Sequence, residues 1–272
     1  MMAAFMRSLG GIRLRVTLLR WIDHLSRLGR VTETTRRVEE AVLRAVKSWQ
    51  KAPNLGGNPL AGTAAKPGAG DTAVFTDRVG YVQHIDGAAL SKIAEELTCD
   101  VVVMAIPGKM VSPGMPLGWL EGKFKDDVVE RIADCFVIDD VRSFDQDPRF
   151  GAAVLTEIAS RALSPAVNDP GTAIDIISRA VRILLAWKES QEANAESEVP
   201  YPRLRVASIS TADLFDDLFT PIARDGAAIV EVGLRLQKAF RILATLGPEF
   251  RKNAVRHSKE ALERAGCPSV RP

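Results

Sequence analysis

Arg142, Asp145, Arg161, Asn168, Asp169 and Thr172 fall within one stretch, residues 142–172, and carry the groups best suited to chemistry in this chain. Each guanidinium can grip a carboxylate or phosphate through paired N–H donors. A helix opening at Pro170 would add backbone N–H groups beside the Thr172 hydroxyl, so the chemistry on offer is anion recognition. The same groups could form a structural brace: Asp147 and Asp169 each precede a proline, as helix caps do, and Arg161 could balance their charge. Both readings stay open on the residues alone. No catalytic residue, metal ligand or cofactor is assigned. His84 and Asp86 share one strand face, but no third ligand stands near them and Asp86 reads as a helix cap, so they are taken as packed or paired. The sequence carries no Walker-type nucleotide loop, G-x-S-x-G, H-E-x-x-H or C-x-x-C.

Two Asp-Pro steps position these groups. Each places a side-chain acceptor at a helix cap and a proline at the first helical position. From Pro148 the residues Phe150, Val154, Ile158 and Ala162 recur every four positions and predict a buried face, while Gly151, Ala152 and Ala153 permit close backbone approach. Pro165 restricts Ser164 and ends the helix near Leu163, which leaves residues 164–169 as a tight reversal. The next helix turns Ala173, Ile177, Ala180 and Leu184 inward. On this reading Arg142, Asp145, Arg161, Asn168 and Asp169 crowd around one loop.

The patterns R-S-x-x-Q-D-x-x-F-G over residues 142–151 and I-A-x-R-A-L-S-P-x-x-N-D-P-x-T-A over residues 158–173 resemble the signature of a family of predicted bacterial membrane proteins, domain-of-unknown-function family 2254. The resemblance extends through residues 80–86 and 107–117, and more loosely over most of the chain. It implies a region preceded by several membrane helices and facing the cytoplasm at the bacterial inner membrane. This chain contains no run of about eighteen uninterrupted apolar residues, which departs from that pattern; a chain starting at Met1 would then be soluble and cytoplasmic.

The 272 residues suffice for one large core or two small ones. A hydrophobic share of 46%, a charged share of 26% and a mean hydropathy of +0.01 fit a globular chain with some apolar surface. The net charge of +2 gives no reason to expect nucleic acid. Cys99, Cys135 and Cys267 are odd in number and widely spaced, which argues for a reducing compartment and against a disulfide framework.

Residues 1–49 read as basic amphipathic and stalk-like helices. Arg7, Arg13, Arg15 and Arg20 among aromatic and aliphatic residues fit a membrane surface, and the following charged helix wants a partner, its own bundle or a second copy. Residues 50–70, with Pro53, Pro59 and Pro67 among glycines, read as a flexible linker. Residues 71–122 read as a small β-rich module. Its P-G-x-x-V-x-x-G-x-P-L run from Pro107 to Leu117 resembles a half-motif of barrel-sandwich folds, although Lys109 lacks the context of a carrier lysine. Residues 123–272 read as a helical domain. The fold class expected is α+β: a barrel-sandwich-like module followed by a mainly α-helical bundle. The function expected is a non-enzymatic sensor, regulatory or assembly domain of a membrane-associated protein. The alternative is an anion- or phosphometabolite-binding protein or enzyme built on the Arg142/Arg161/Asn168/Asp169 loop.

Overall fold

The computed structural model describes residues 31–60, 67–194 and 198–266. The basic segment 1–23, and the membrane contact expected of it, lie outside the described residues.

Thr35, Val38, Val42, Ala45 and Val46 recur at three- and four-residue spacing and form the buried face of α1 (Val31–Lys51). That face packs on α4 (Pro148–Ala162) and α5 (Pro170–Asn194). Gly151 makes the α1–α4 contact possible, because a Cβ there would lie 2.2 Å from Val42 Cγ2. The buried ridge of α4 is Ala152, Leu155, Ala159 and Ala162; Phe150, Val154 and Ile158 are only partly buried. The four-residue spacing thus pointed a little to one side of the true ridge, which is made of Ala152, Ala159 and Ala162 with Leu155. Ala173, Ile177, Ala180 and Leu184 are buried in α5 as expected.

Three further helices close the bundle. α6 (Thr211–Asp225) opens with a capping box between Ser210 and Asp213 and continues past Pro221. α7 (Val230–Leu243) and α8 (Pro248–Arg264) form a hairpin across Gly247, whose φ of 135° suits glycine. The shared core includes Trp187 and the phenylalanines Phe215, Phe219, Phe240 and Phe250.

Two open sheets build the second core. The first has the order β1-β8-β4-β6-β2, from β1 (Gly57–Pro59), β8 (Tyr201–Val206), β4 (Val101–Val103), β6 (Pro116–Leu120) and β2 (Thr72–Phe75). Both β1 and β4 run parallel to β8, and the remaining pairs are antiparallel. All three valines of β4 are buried, as in a strand covered on both faces. The second sheet has the order β5-β3-β7, from β5 (Met110–Val111), β3 (Gly80–Ile85) and β7 (Phe136–Asp139). α2 (Gly87–Leu97) and α3 (Asp126–Ala133) pack against these strands, contributing Leu90, Ile93 and Ile132 to their core.

The barrel-sandwich expectation is overturned, because neither sheet closes. β5 and β6 belong to different sheets, and β8 occupies the edge of β4 that closure would need. The turn chemistry behind that expectation was read correctly at the residue level: Gly108 and Gly114 have φ of 90° and 85°, and Val111 and Leu117 are buried. Part of the expected linker is also ordered. Pro53–Gly56 forms a tight turn with Asn54 and Leu55 at positive φ, Leu55 is buried, and β1 pairs with β8; residues 61–66 lie outside the described set. Since β7 and β8 both follow residue 123, the sheets draw on both sides of the expected boundary.

Candidate functional site

The Asp147 carboxylate lies at the N-terminal end of α4 and is 1% exposed. Its Oδ1 accepts from Phe150 N at 3.1 Å, and its Oδ2 accepts from Arg142 Nε at 2.8 Å and faces Nη2 at 2.7 Å. Burial pushes the carboxyl above its usual range, and the Arg142 charge and hydrogen bond offset only part of that push. Arg142 also lies 5.2 Å above the Phe150 ring. Gly108 closes the other side: a Cβ there would fall 2.2 Å from Asp147 Oδ2. Next in the chain, the Gln146 amide accepts from Ile85 N at 3.0 Å and donates to Ile85 O at 3.3 Å, which ties β3 to the start of α4. These motif residues form a joint between sheets and bundle. Asp145 is exposed, and among the described residues its backbone N–H donates to Ser143 Oγ.

At the opposite end of α4 the chain reverses. Asn168 N and Val167 N donate to Ser164 O, and Asp169 N donates to Ala162 O at 2.8 Å. Asn168 takes φ of 48°, a conformation asparagine tolerates, so its role is conformational. Asp169 then caps α5: Oδ1 accepts from Thr172 N at 3.2 Å and Oδ2 from the Thr172 hydroxyl at 2.6 Å. The hydroxyl, with the helix N–H groups, holds the carboxyl below its usual range. Arg161 is exposed and its guanidinium has no hydrogen-bond or ion-pair partner among the described residues. It borders a cleft of about 300 Å³ with an apolar lining of Val31, Ile158, Ala162 and Val167, and polar groups from Thr34, Asp169 and Thr172.

The expected cluster is therefore two places. Arg142 and Asp145 are separated from Arg161, Asn168, Asp169 and Thr172 by the length of α4, about 20 Å at 1.5 Å per residue. Arg161 does not brace Asp147.

Glu39, on the charged helix α1, is buried. It receives Arg182 through Nε at 2.6 Å and Nη2 at 3.1 Å, and is paired with Arg179, which also binds Asp175 at 2.7 Å. Burial pushes Glu39 up, but the Arg182 and Arg179 partners together hold it below its ordinary value. The signal was present: position 39 lies in the stripe 35, 38, 42 and 46. Asp86 accepts from Ala89 N at 2.9 Å as the cap of α2, while His84 is exposed. Both border a cleft of about 250 Å³ between the cores, beside Trp49 and Tyr201.

Residues 9–241 match the family described as predicted membrane protein, DUF2254. The chain belongs to that family. Similar sequences occur in uncharacterised proteins of Mycobacterium bovis and Mycobacterium tuberculosis, each 32% identical over 132 residues. Those matches cover 46% of this chain and 25% of the relatives, so the chain spans a minor part of their length. No solved structure matches. Among the described residues no helix is long and apolar enough to cross a membrane, and no group of three or more His, Cys, Asp or Glu is placed to hold a metal.

Proposed function

We propose that this DUF2254 domain binds an anionic amphiphile, a phosphate or carboxylate on an apolar body, in the cleft between the start of α1 and the α4–α5 reversal. The observation that carries the reading is Arg161, a guanidinium without a partner among the described residues at the rim of an apolar cleft. A bare anion is a poorer fit. Asp169 already caps the α5 N-terminus, and its carboxylate would repel a second negative charge placed there. An apolar body against Val31, Ile158 and Val167 adds the burial that one exposed cation cannot supply. The reading is of a binding site without bond chemistry. Because Val31 and Thr34 line the cleft and Glu39 locks α1 onto α5, occupancy would act on α1, the helix that follows residues 1–30 in the chain. On this reading the domain responds to a ligand on the cytoplasmic side of a membrane-associated protein, and membership of a family of predicted membrane proteins supports it.

The test is a thermal-shift series with hexyl phosphate, hexanoate, inorganic phosphate and hexanol. Hexyl phosphate is expected to raise the unfolding midpoint, with a linkage gain of about 2.7 kcal/mol at a hundred times its dissociation constant. Inorganic phosphate and hexanol should do little, and Arg161→Gln should abolish the shift. No response to either amphiphilic anion, or an equal response in Arg161→Gln, overturns the reading.

A further inference from the structure

α7 and α8 present an outer face whose composition differs from the rest of the bundle. Val230, Leu234 and Ile242 on α7 are 71%, 57% and 51% exposed, and Val255 on α8 is 44% exposed. Among them project Arg235, Lys238 and Arg241 from α7 and Arg251, Lys252 and Lys259 from α8, all exposed. None of these six has an ion-pair partner among the described residues, whereas Arg256 and Arg264 on α8 are paired with Asp216 and Glu260. Over residues 230–264 the chain carries eight Lys and Arg against four Glu, a local excess larger than the +2 of the whole protein. Between the helices run two clefts of about 390 and 300 Å³, lined by Leu234, Phe240, Ala254 and Val255 in one and by Ile229, Val230, Leu234 and Leu262 in the other. Large apolar side chains interleaved with unpaired cations suit a surface that is negative at its rim and apolar beneath.

We infer that the α7–α8 face lies against an anionic phospholipid bilayer. Charge decides between occupants. A second copy docked face to face would set the six cations against their own equivalents. Residues 1–30 carry six arginines against Asp23, so they would be repelled from this face as well. An anionic partner remains, and membership of a family of predicted membrane proteins makes the bilayer the one within reach. The cations meet headgroups, while Val230, Leu234, Ile242 and Val255 enter the boundary below them. This contact is separate from the Arg161 cleft and does not depend on it.

The experiment is sedimentation of the full chain with vesicles of phosphatidylcholine alone or with phosphatidylserine. Three variants are compared, with circular dichroism confirming unchanged helix content: Arg235→Gln/Lys238→Gln/Arg241→Gln, Leu234→Ser/Ile242→Ser, and Arg7→Gln/Arg13→Gln/Arg15→Gln/Arg20→Gln. Wild type should favour the phosphatidylserine vesicles. The triple α7 variant should bind them more weakly by about fivefold for each cation removed. The Leu234/Ile242 variant should weaken on both kinds of vesicle, because its loss is apolar. Hexyl phosphate should still shift the melting of both α7 variants if the Arg161 cleft binds it, so failure of either idea is visible without the other. Wild-type affinity in both α7 variants, with loss confined to the N-terminal variant, would assign the membrane contact to residues 1–23 and overturn the inference.

Discussion

Asp147 and Asp169 occupy the same position in their helices, each one residue before a proline, yet their surroundings set very different roles. Asp169 is exposed and closes a local ring with Thr172. Asp147 is buried, paired with Arg142 and pressed against Gly108, so its loss would leave a guanidinium uncompensated at the joint. Asp169→Ala should therefore cost about 1 kcal/mol, the worth of a cap. Asp147→Ala should cost about 3 kcal/mol, because a largely buried pair is broken as well. Urea denaturation of both variants checks this, and equal midpoints would show that the Asp147 pair contributes no more than a cap.

At the scale of elements, α6, α7 and α8 meet around His257. Its ring lies 5.7 to 6.2 Å from the centres of Phe215, Phe219 and Phe240 and is 1% exposed. Nε2 comes within 3.0 Å of Asp216 Oδ1 without hydrogen-bond alignment, while Arg256 also reaches Asp216 and Glu260 faces the same region. Burial first, and then the Arg256 charge, push the imidazole below its ordinary value of 6.5; Asp216 and Glu260 pull the other way. The folded state thus holds this proton less tightly than the unfolded chain. Well above pH 6.5 both states are neutral and stability is complete; as pH falls through that value toward the lower folded pKa, the unfolded chain binds the proton and stability drops. Thermal unfolding between pH 7 and 5.5 should show this loss, bounded by about 1.4 kcal/mol per pH unit. In His257→Phe, which keeps a ring in the same site, the loss should largely vanish. A slope unchanged by that substitution would assign it to other groups.

For the whole molecule, the interleaving of the two cores predicts that they do not fold apart. β8 enters from beyond α5 and stands between β1 and β4, with Leu204 and Val206 fully buried in the sheet core. A fragment of residues 67–140 keeps most strands but lacks this central one. It should give a collapsed amide proton spectrum, while the full chain gives a dispersed one. A dispersed, native-like spectrum from the fragment would mean that β8 only decorates an independent module.

Helix starts, reversals and family membership were legible in the residues because they rest on local chemistry. A cap needs only an acceptor within three residues of its donor, and the Asp147, Asp169 and Asp86 caps formed where the side chains allowed. The inner face of α5 was legible for the same reason, since a single helical period defines it. The division of the candidate cluster was not legible: turn chemistry shows that α4 has two ends, and only its tertiary length keeps Arg142 and Arg161 apart. The burial of Glu39 depended on Arg179 and Arg182, some 140 residues away, arriving on the facing helix. Likewise no local pattern in residues 201–206 says which strands will flank them. Sequence determined where elements begin and which faces are apolar; long-range pairing decided which charges met, because a partner distant in the chain is chosen by topology and packing.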